Sequence, residues 1–272
     1  MPDPLVSIVI PTCARPRLLR RAITSALCQS YRHIEVIVID DSVRREGLAV
    51  CQTIQDARLR CYPNRRAKGA CGSRNTGIEL ARGTYYTGLD DDDYFHRERV
   101  LTLMRAYQRQ YSFVASNMMQ LRNGSTSPRF RGHMLVHLSD ILWGNCVGNQ
   151  ILTETYKVRE VGAFDEALAA GQDFDLWIRM IAQWGTALRV AHCLYTMDLG
   201  HGGARIGTTV DIARRVSDIL DRHGGKLSTP QRLLYSVRER RHGGMSYLGY
   251  AALSLCYPGT WRYWSKRLSR VW

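Results

Sequence analysis

The segment Thr84-Tyr-Tyr-Thr-Gly-Leu-Asp-Asp-Asp-Asp93 runs from a short apolar stretch directly into four consecutive aspartates. Gly83 ends a predicted helix just before it, so the apolar stretch is predicted to be a strand. Open α/β sheets bind ligands outside the carboxyl ends of their strands, which is where these aspartates would lie. Adjacent carboxylates repel one another unless a cation or hydrogen-bond donors neutralise them. We therefore expect a ligand site here, with Mn²⁺ or Mg²⁺ as the cation suited to oxygen ligands; a solvated acidic run is the alternative.

Strand-like and helix-like segments alternate around this stretch in the first half of the chain. The predicted strands are residues 5–10, 34–39, 59–62 and 84–89. The predicted helices are residues 18–27, 48–55 and 74–81, with a glycine-rich loop at 68–73. This alternation predicts an α/β fold in which helices cover a parallel sheet.

The second half of the chain is more mixed and contains no internal repeat or low-complexity linker. Its predicted strands are residues 113–120 and 147–153. Its predicted helices are residues 97–111, 173–184 and 210–222, with a further helix start at Ser228-Thr-Pro230.

The composition is that of a soluble globular protein with a sizeable core. Of the 272 residues, 45% are hydrophobic and 23% are charged, which excludes a disordered chain and an integral membrane protein. The 38 Lys and Arg outnumber the 24 Asp and Glu, giving a formal net charge of +14. Such an excess indicates an anionic partner: nucleic acid, an anionic bilayer or phosphorylated small molecules.

Cysteine usage and the start of the chain indicate the compartment. The eight cysteines form no C-x-x-C pair and no zinc-ribbon spacing, so a cysteine metal site is not expected. The N-terminal segment has no basic n-region and its apolar run stops at Pro11, so no signal peptide is predicted. Reduced thiols without an export signal predict a cytoplasmic protein.

The positive charge is concentrated after residue 204. Residues 205–272 hold 13 Lys and Arg against 4 Asp and Glu, so they carry +9 of the +14. We predict that residues 1–204 form the sheet domain and that residues 205–272 are a basic helical extension.

Near its end, this extension carries two stripes at helical spacing. One stripe holds Trp261, Trp264, Leu268 and Val271 or Trp272, and the other holds Arg262, Lys266 and Arg270. A helix with a tryptophan face and a cationic face is typical of an interfacial anchor on an anionic membrane leaflet. The alternative is a helix packed on the sheet domain with its basic residues in solvent.

Two further features point to phosphate or nucleotide chemistry. Asp40 and Asp41 follow the strand at 34–39, a second acidic strand end, although Asp-Asp-Ser is also common turn and helix-cap chemistry. Arg74 and Asn75 open a helix after the glycine-rich loop, where backbone N–H groups and a guanidinium are available to a phosphate or ribose. The chain lacks the Walker lysine motif and a G-x-G-x-x-G after its first strand, which argues against P-loop NTPases and dinucleotide-binding dehydrogenases.

In order and spacing, five segments together resemble the inverting family-2 glycosyltransferases of the GT-A fold. They are Val6-Ser-Ile-Val-Ile-Pro-Thr12, Val38-Ile-Asp-Asp-Ser42, Gly72-Ser-Arg-Asn-Thr-Gly77, Gly83-Thr-Tyr-Tyr-Thr-Gly-Leu-Asp-Asp-Asp-Asp93 and Gly171-Gln-Asp-Phe-Asp-Leu-Trp-Ile-Arg179. The segments at 69–75, 87–93, 148–150, 170–175 and 200–202 also resemble the colanic-acid and exopolysaccharide glycosyltransferases of bacteria. The resemblance covers about residues 5–205. It implies a Rossmann-like mixed sheet flanked by helices, with a nucleotide-sugar-binding half at 1–95 and an acceptor half at 96–204.

The resemblance also implies roles for individual residues. Those matching the nucleotide-sugar site are Pro11, Thr12, Asp40, Asp41, Arg74, Asp90 and Asp91. Those matching the metal site, for Mn²⁺ or Mg²⁺, are Asp92, Asp90 and His201. Asp173 matches the catalytic base, and Arg205, Asn149 and Gln172 are expected near the diphosphate or the acceptor. The aromatic residue and Asn that usually follow Pro-Thr in the family are Cys13 and Ala14 here, which makes a uridine nucleotide less secure.

Two of these assignments have simpler alternatives. Asp173 opens a predicted helix, so it is also suited to an N-cap role, which does not exclude catalysis. His201 lies between two glycines, and an ordinary loop residue is the alternative to a metal or diphosphate contact.

The implied reaction explains these residue types. A nucleoside diphosphate leaving group needs a cation and hydrogen-bond donors, and a sugar hydroxyl needs a base to take its proton. Family members that build polymers carry Q-x-x-R-W and transmembrane helices; here Gln183-Trp184-Gly185 lacks the arginine and no 20-residue apolar run exists. We therefore predict transfer of one sugar from a UDP-sugar to a polyprenyl-diphosphate-linked glycan, by a peripheral protein on the inner face of the cell membrane.

Two other function classes stay open from the sequence. A nucleotidyltransferase also uses aspartates and a metal, but it would release pyrophosphate from a nucleoside triphosphate. A non-catalytic α/β protein could bind nucleic acid through its basic extension. The acidic strand ends and the lack of a recognition helix or aromatic RNA motif argue against nucleic acid as a partner.

Overall fold

The computed structural model describes residues 3–66, 69–200, 212–229, 231, 232 and 235. The chain divides into two compact units, the first formed by Met1–Ala167 with Gln172–Gly203 and the second by Leu168–Gly171 with Ala204–Trp272. Most of the predicted basic extension lies outside the described residues, so its helical character and the predicted domain boundaries stay predictions. No helix among the described residues is long and apolar enough to cross a bilayer.

One mixed sheet runs through the first unit. Its strands are β1 (Val6–Thr12), β2 (Ile34–Asp40), β3 (Leu59–Pro63), β4 (Tyr85–Gly88), β5 (Tyr94–Phe95), β6 (Val114–Arg122), β7 (Ser125–Pro128), β8 (Met134–Val136), β9 (Leu152–Glu154) and β10 (Ala187–Asp198). The order is β3-β2-β1-β4-β9-β6-β10-β5, with β7 beside β6 and β8 beside β10. The β3, β2, β1 and β4 strands are parallel, whereas β9 is antiparallel to both β4 and β6. The predicted α/β mixed sheet is confirmed.

Helices lie between the strands and pack on them. Those of the first unit are α1 (Pro16–Leu27), α2 (Glu46–Gln52), α3 (Ala70–Leu80), α4 (Arg99–Ala106), α5 (Leu138–Ile141), α6 (Thr155–Glu160) and α7 (Gln172–Trp184). In the second unit the described residues form α8 (Ile212–His223) and a 3₁₀ turn at Gly224–Lys226. Every residue of β1 and β2 is buried, as expected for central strands of a sheet covered by helices. α3 packs across both strands.

A close approach of helix and sheet fixes α3 over β1. A Cβ atom on Gly77 of α3 would lie 2.2 Å from Cγ1 of Val9, a separation at which the two atoms overlap. Glycine at this position lets the helix sit directly on the strand. The residues at the start of α3 are thereby held near the carboxyl end of the parallel strands.

Three sequence predictions of local structure were wrong. α3 begins at Ala70, so most of the loop predicted at 68–73 is helical. The predicted strand at 147–153 is confined to β9, and the helix at 97–111 is confined to α4. The twelve-residue strand β10 was not predicted, because its register against β6 shifts twice between Val190 and Tyr195 and its burial does not alternate.

Candidate active site

The carboxyl ends of the parallel strands bring the predicted nucleotide-site residues together. Thr12 at the end of β1 is paired in register with Asp40 at the end of β2. The Thr12 hydroxyl donates to Oδ2 of Asp91 at 2.7 Å, which joins the end of β1 to the aspartates that follow β4. Pro11 is buried within β1, one residue before Thr12.

The four aspartates share one residue type but have different partners. Asp90 accepts hydrogen bonds from Arg74 Nη2 (2.8 Å), Gln150 Nε2 (3.0 Å) and Asn149 Nδ2 (2.8 Å). Its carboxylate is therefore held by a cation and two amides, and the predicted residues Arg74 and Asn149 are both in contact with it.

A second arginine holds the next two aspartates. Arg15 Nη1 donates to Asp91 Oδ1 at 3.2 Å and to Asp92 Oδ2 at 2.9 Å. The pKa of Asp91 is raised to about 6, chiefly by burial; the Thr12 hydrogen bond and Arg15 oppose this rise, and the neighbouring Asp92 and Asp90 add to it. The surroundings of Asp91 therefore disfavour its charged form.

The last aspartate is a structural member of the run. Asp93 is almost completely buried and accepts hydrogen bonds from the Tyr195 hydroxyl (2.6 Å) and the backbone N–H of Asp198 (2.9 Å). These bonds fasten the acidic loop to β10. Arg21 adds a further tie, donating to the backbone oxygen of Asp92 and to Oδ2 of Asp198.

Asp40 and Asp41 differ in burial and in the hydrogen-bond partners of their carboxylates. Asp40 is fully buried, and its two oxygens accept from Ser42 and from the backbone N–H of Leu48, near the start of α2. The cap and turn role considered for this pair is therefore present at Asp40. Asp41 is only half-buried and accepts from Asn64 (2.9 Å) and the Gly69 N–H (2.7 Å), so it retains exposed surface at the strand end.

Asp173 lies in the first turn of α7, close to this acidic and basic group. Its Oδ2 accepts from Asn145 Nδ2 at 3.1 Å. Burial raises the pKa of Asp173 and the charge of Asp90 adds to this, whereas Arg74 is the largest influence that lowers it. Asp90 outweighs the effect of burial on Arg74, so the pKa of that guanidinium is raised. The predicted base, Arg74 and the first aspartate thus act on one another.

The remaining predicted residues are placed less fully. Gln172 is half-buried at the first position of α7. His201 and Arg205 lie outside the described residues, and their predicted roles stay predictions.

The oxygen-rich donor set at this strand end fits a hydrated divalent cation. Among the described residues, no three His, Cys, Asp or Glu side chains come together as a metal site. Asp90 and Asp92 offer carboxylate oxygens, and the buried Oδ1 of Asn149 accepts no hydrogen bond from the described residues. Mg²⁺ and Mn²⁺ commonly take one or two carboxylates and complete their shell with water and phosphate oxygens.

Sequence reasoning missed several residues that build the site. They are Arg15, Arg21, Asn145, Gln150, Tyr195 and Asp198. Arg15 follows the Pro-Thr segment closely, so its proximity to a strand end was the available signal. Tyr195 and Asp198 belong to β10, and without that strand no sequence pattern connected them to the aspartates.

A parallel half-sheet with acidic strand ends is joined through the antiparallel β9 to the parallel pair β6 and β10, and a later helix carries a further carboxylate. This is the arrangement of the GT-A glycosyltransferases. The model of glycosyl transferase family 2 matches residues 7–158. The chain belongs to this family and is a glycosyltransferase.

Individual relatives agree with the family. WcaA of Escherichia coli K12, named as a colanic acid biosynthesis glycosyl transferase, is 31% identical over 261 residues, which cover 88% of this chain and 90% of WcaA. A Campylobacter jejuni protein named GalNAc(5)-diNAcBac-PP-undecaprenol beta-1,3-glucosyltransferase is 28% identical over 71% of this chain and 64% of its own length. The crystal structure of S. aureus TarS 1–349 with UDP-GlcNAc shares the fold, with a TM-score of 0.68 at 16% identity over 87% of this chain and 72% of the TarS fragment.

Proposed function

We propose that the protein is a metal-dependent, inverting glycosyltransferase that moves one sugar from a UDP-sugar to a hydroxyl of a polyprenyl-diphosphate-linked glycan. The observation that carries this proposal is the shared position of Arg74, Asp90 and Asp173. Arg74 binds Asp90 at 2.8 Å, and both charges act on Asp173. A group that stabilises a leaving diphosphate and a group that accepts a proton are thus at one place.

The donor is proposed from the first strand ends and from a relative. TarS binds UDP-GlcNAc in its crystal structure and has the same fold. In this chain, the family resemblance assigns Pro11, Thr12, Asp40 and Asp41 to the nucleotide base, and Thr12 and Asp40 are paired in register at the strand ends. Asp41 keeps exposed surface there, and its carboxylate is suited to accept the imide N–H of uracil. Asp91 and Arg15 lie beside Thr12 and extend the site toward the diphosphate.

The acceptor class is proposed from the relatives' names. The Campylobacter relative is named for an undecaprenyl-diphosphate-linked acceptor, and WcaA is named for colanic acid biosynthesis. A glycan on such a lipid carrier would place the reaction in surface polysaccharide synthesis at the cytoplasmic face of the membrane.

The residues divide the chemistry between leaving group and nucleophile. Asp173 accepts the proton of the acceptor hydroxyl while the hydroxyl oxygen bonds to the anomeric carbon of the donor sugar. The electron pair of the breaking bond between that carbon and the diphosphate oxygen goes to UDP. A single displacement of this kind inverts the anomeric centre. Burial holds the pKa of Asp173 above its usual value, which makes the carboxylate a stronger base. Arg74, whose buried Nε donates no hydrogen bond among the described residues, is available to the diphosphate.

Mn²⁺ or Mg²⁺ fits this scheme at Asp92 and Asp90, with His201 as a further proposed ligand. When bound, the cation neutralises the charge that develops on the diphosphate. Asn149 and Gln150 hold Asp90 in place through their amide groups.

The test is a screen of nucleotide sugars for UDP release. Each donor is incubated with and without Mn²⁺, and with and without a short-chain polyprenyl-diphosphate-linked sugar. We expect release that needs both the cation and the acceptor, and a product of inverted anomeric configuration by NMR. Pyrophosphate release from a nucleoside triphosphate, without UDP release from any sugar nucleotide, would contradict the proposal and indicate a nucleotidyltransferase.

A further inference from the structure

Asn145, in the loop between α5 and β9, uses every hydrogen-bonding position of its amide. Its Oδ1 accepts from the backbone N–H groups of Val147 (3.0 Å) and Gly148 (2.9 Å). Its Nδ2 donates to the Gly148 carbonyl (3.0 Å) and to Asp173 Oδ2 (3.1 Å). A flipped amide would turn its NH₂ group toward two N–H donors, so this network fixes the orientation. Asn145 therefore presents an N–H to the Asp173 carboxylate.

The same loop is tied to α7 a second time, one helical turn further on. Trp177 Nε1 donates to the carbonyl of Gly148 at 2.9 Å, and the Trp177 side chain is fully buried. Positions 173 and 177 share a face of the helix, so both ties act on the same side of α7. Gly148 has a φ of +107°, and a Cβ there would lie 2.6 Å from Met118 Cε. The loop is thus tied to α7 by hydrogen bonds and packed closely against Met118 of β6.

The loop also reaches the acidic strand end. Asn149 Nδ2 donates to Asp90 Oδ2 (2.8 Å), to Asp93 Oδ2 (3.3 Å) and to the Tyr195 hydroxyl (3.1 Å). One short stretch of chain, residues 145–150, therefore bonds both Asp173 and the first of the four aspartates. It sets the position of one carboxylate relative to the other.

We propose that Asn145 is the positioning residue of the base: its N–H holds Oδ2 of Asp173, so that Oδ1 is the oxygen that takes the acceptor proton. This inference rests on the proposed role of Asp173. In the step, the acceptor O–H bond breaks and its proton passes to Oδ1. The acceptor oxygen bonds to the anomeric carbon, and the leaving diphosphate takes the electron pair of the broken C–O bond.

The groups that face Asp173 come from four parts of the fold. They are Arg74 and Cys71 of α3, Asp90 after β4, Arg129 after β7, and the backbone N–H of Phe174 in α7 itself. Asn145 adds a neutral donor that bonds best to the ionised carboxylate. Its removal is therefore expected to favour the protonated form.

The test compares Asn145→Asp with Asn145→Ala. The Asp variant keeps an oxygen for the Val147 and Gly148 N–H groups, so the loop retains those bonds, but it loses the N–H that faces Asp173. The readout is the pH titration of the Asp173 carboxyl carbon by ¹³C NMR, assigned by comparison with Asp173→Asn. We expect the midpoint to rise by about one pH unit in the Ala variant and by more in the Asp variant, where a second carboxylate is adjacent. The acid limb of the kcat profile should move in the same direction.

Asn123→Asp is the matched control, since it makes the same substitution at an exposed turn between β6 and β7. It should leave the midpoint unchanged. A midpoint that does not move in either folded Asn145 variant overturns the inference. A shift in the Asp variant alone also overturns it, because that result reflects charge repulsion and not a lost hydrogen bond. The titration needs neither donor nor acceptor, so its result is independent of whether the wild-type protein releases UDP.

Discussion

The aspartates at 90–93 are the same residue type but have different contacts. Asp90 is held by Arg74 and two amides, and Asp93 is buried against Tyr195 and β10. The sequence could predict that such a run follows a strand and needs neutralising, because both follow from local pattern and charge. Asn149, Tyr195 and Asp198 lie 56 to 105 positions from the aspartates that they contact, and local pattern carries no information about such partners.

A conservative change at the proposed base separates binding from chemistry. Asp173→Asn keeps an oxygen that can accept from Asn145 but cannot take a proton at neutral pH. We expect kcat for transfer to fall by about 10²–10⁴-fold, the usual worth of a general base. The affinity for UDP, measured by calorimetry, should stay within about two-fold of wild type, because the variant loses an interaction made only in the transition state. Full activity of this variant would contradict the assignment of Asp173.

The raised pKa of Asp91 predicts that ionisation of this carboxyl lowers the free energy of unfolding in a pH-dependent way. Its pKa is raised to about 6 in the folded protein, against about 3.9 in an unfolded chain, so the folded state binds the proton more tightly. Stability is therefore lost as the pH rises from about 4 to about 6, and above that range the cost is at most about 3 kcal/mol. Asp91→Asn removes the charge while keeping an acceptor for Thr12.

We expect the Asp91→Asn variant to be more stable than wild type at pH 8 by about 1–3 kcal/mol, with the gain vanishing near pH 4. Urea denaturation in EDTA at a series of pH values measures this difference. An equal difference at every pH would show that Asp91 is ionised at no unusual cost. Donor binding should weaken in the same variant, because we expect the charge of Asp91, which lowers the stability of the folded protein, to contribute to the donor site.

At the scale of elements, the first half of the sheet could be predicted and the second half could not. β1 and β2 are continuous apolar runs because helices cover both faces, and such runs are read directly from sequence. β10 carries two register shifts and consecutive exposed residues, so it lacks both the run and the alternation that identify strands. The start of α3 was misplaced because Gly69-Ala-Cys-Gly72 has loop composition, whereas packing on the sheet makes residues from Ala70 onward helical.

Gly77 provides a test of how α3 is seated on β1. Gly77→Ala would place Cβ 2.2 Å from Cγ1 of the fully buried Val9, so the helix must move away from the strand. We expect a loss of about 1–3 kcal/mol in the free energy of unfolding, the usual cost of overpacking. Chemical denaturation measures the loss.

Val9→Ala should relieve this overpacking, so the double variant should be less destabilised than the sum of the two single changes. Gly225→Ala is the control, because nothing lies within 4 Å of a Cβ at that exposed position. Strictly additive effects of the Gly77 and Val9 changes would mean that α3 does not rest on Val9.

At the scale of the whole molecule, the net charge of +14 is unevenly distributed along the chain. The site itself is acidic, with Arg15, Arg21 and Arg74 already paired to carboxylates at the strand ends. Residues 205–272 carry +9 and lie mostly outside the described residues. A lipid-linked acceptor would give that charge a purpose, since docking on an anionic leaflet would bring the enzyme to its substrate.

This interpretation predicts salt-sensitive binding of the full chain to anionic vesicles. Replacing Arg262, Lys266 and Arg270 together with Gln removes three charges at about 1 kcal/mol each, so partitioning should fall on the order of a hundredfold. The control replaces three exposed arginines of the sheet unit, Arg17, Arg82 and Arg97, and makes the same change in net charge.

If both triple variants lose binding equally, the attraction is a property of net charge and the C-terminal region is not an anchor. Binding to DNA or RNA without flotation on vesicles would instead assign the basic region to nucleic acid, and vesicle binding that withstands high salt would assign it to apolar insertion through the tryptophans.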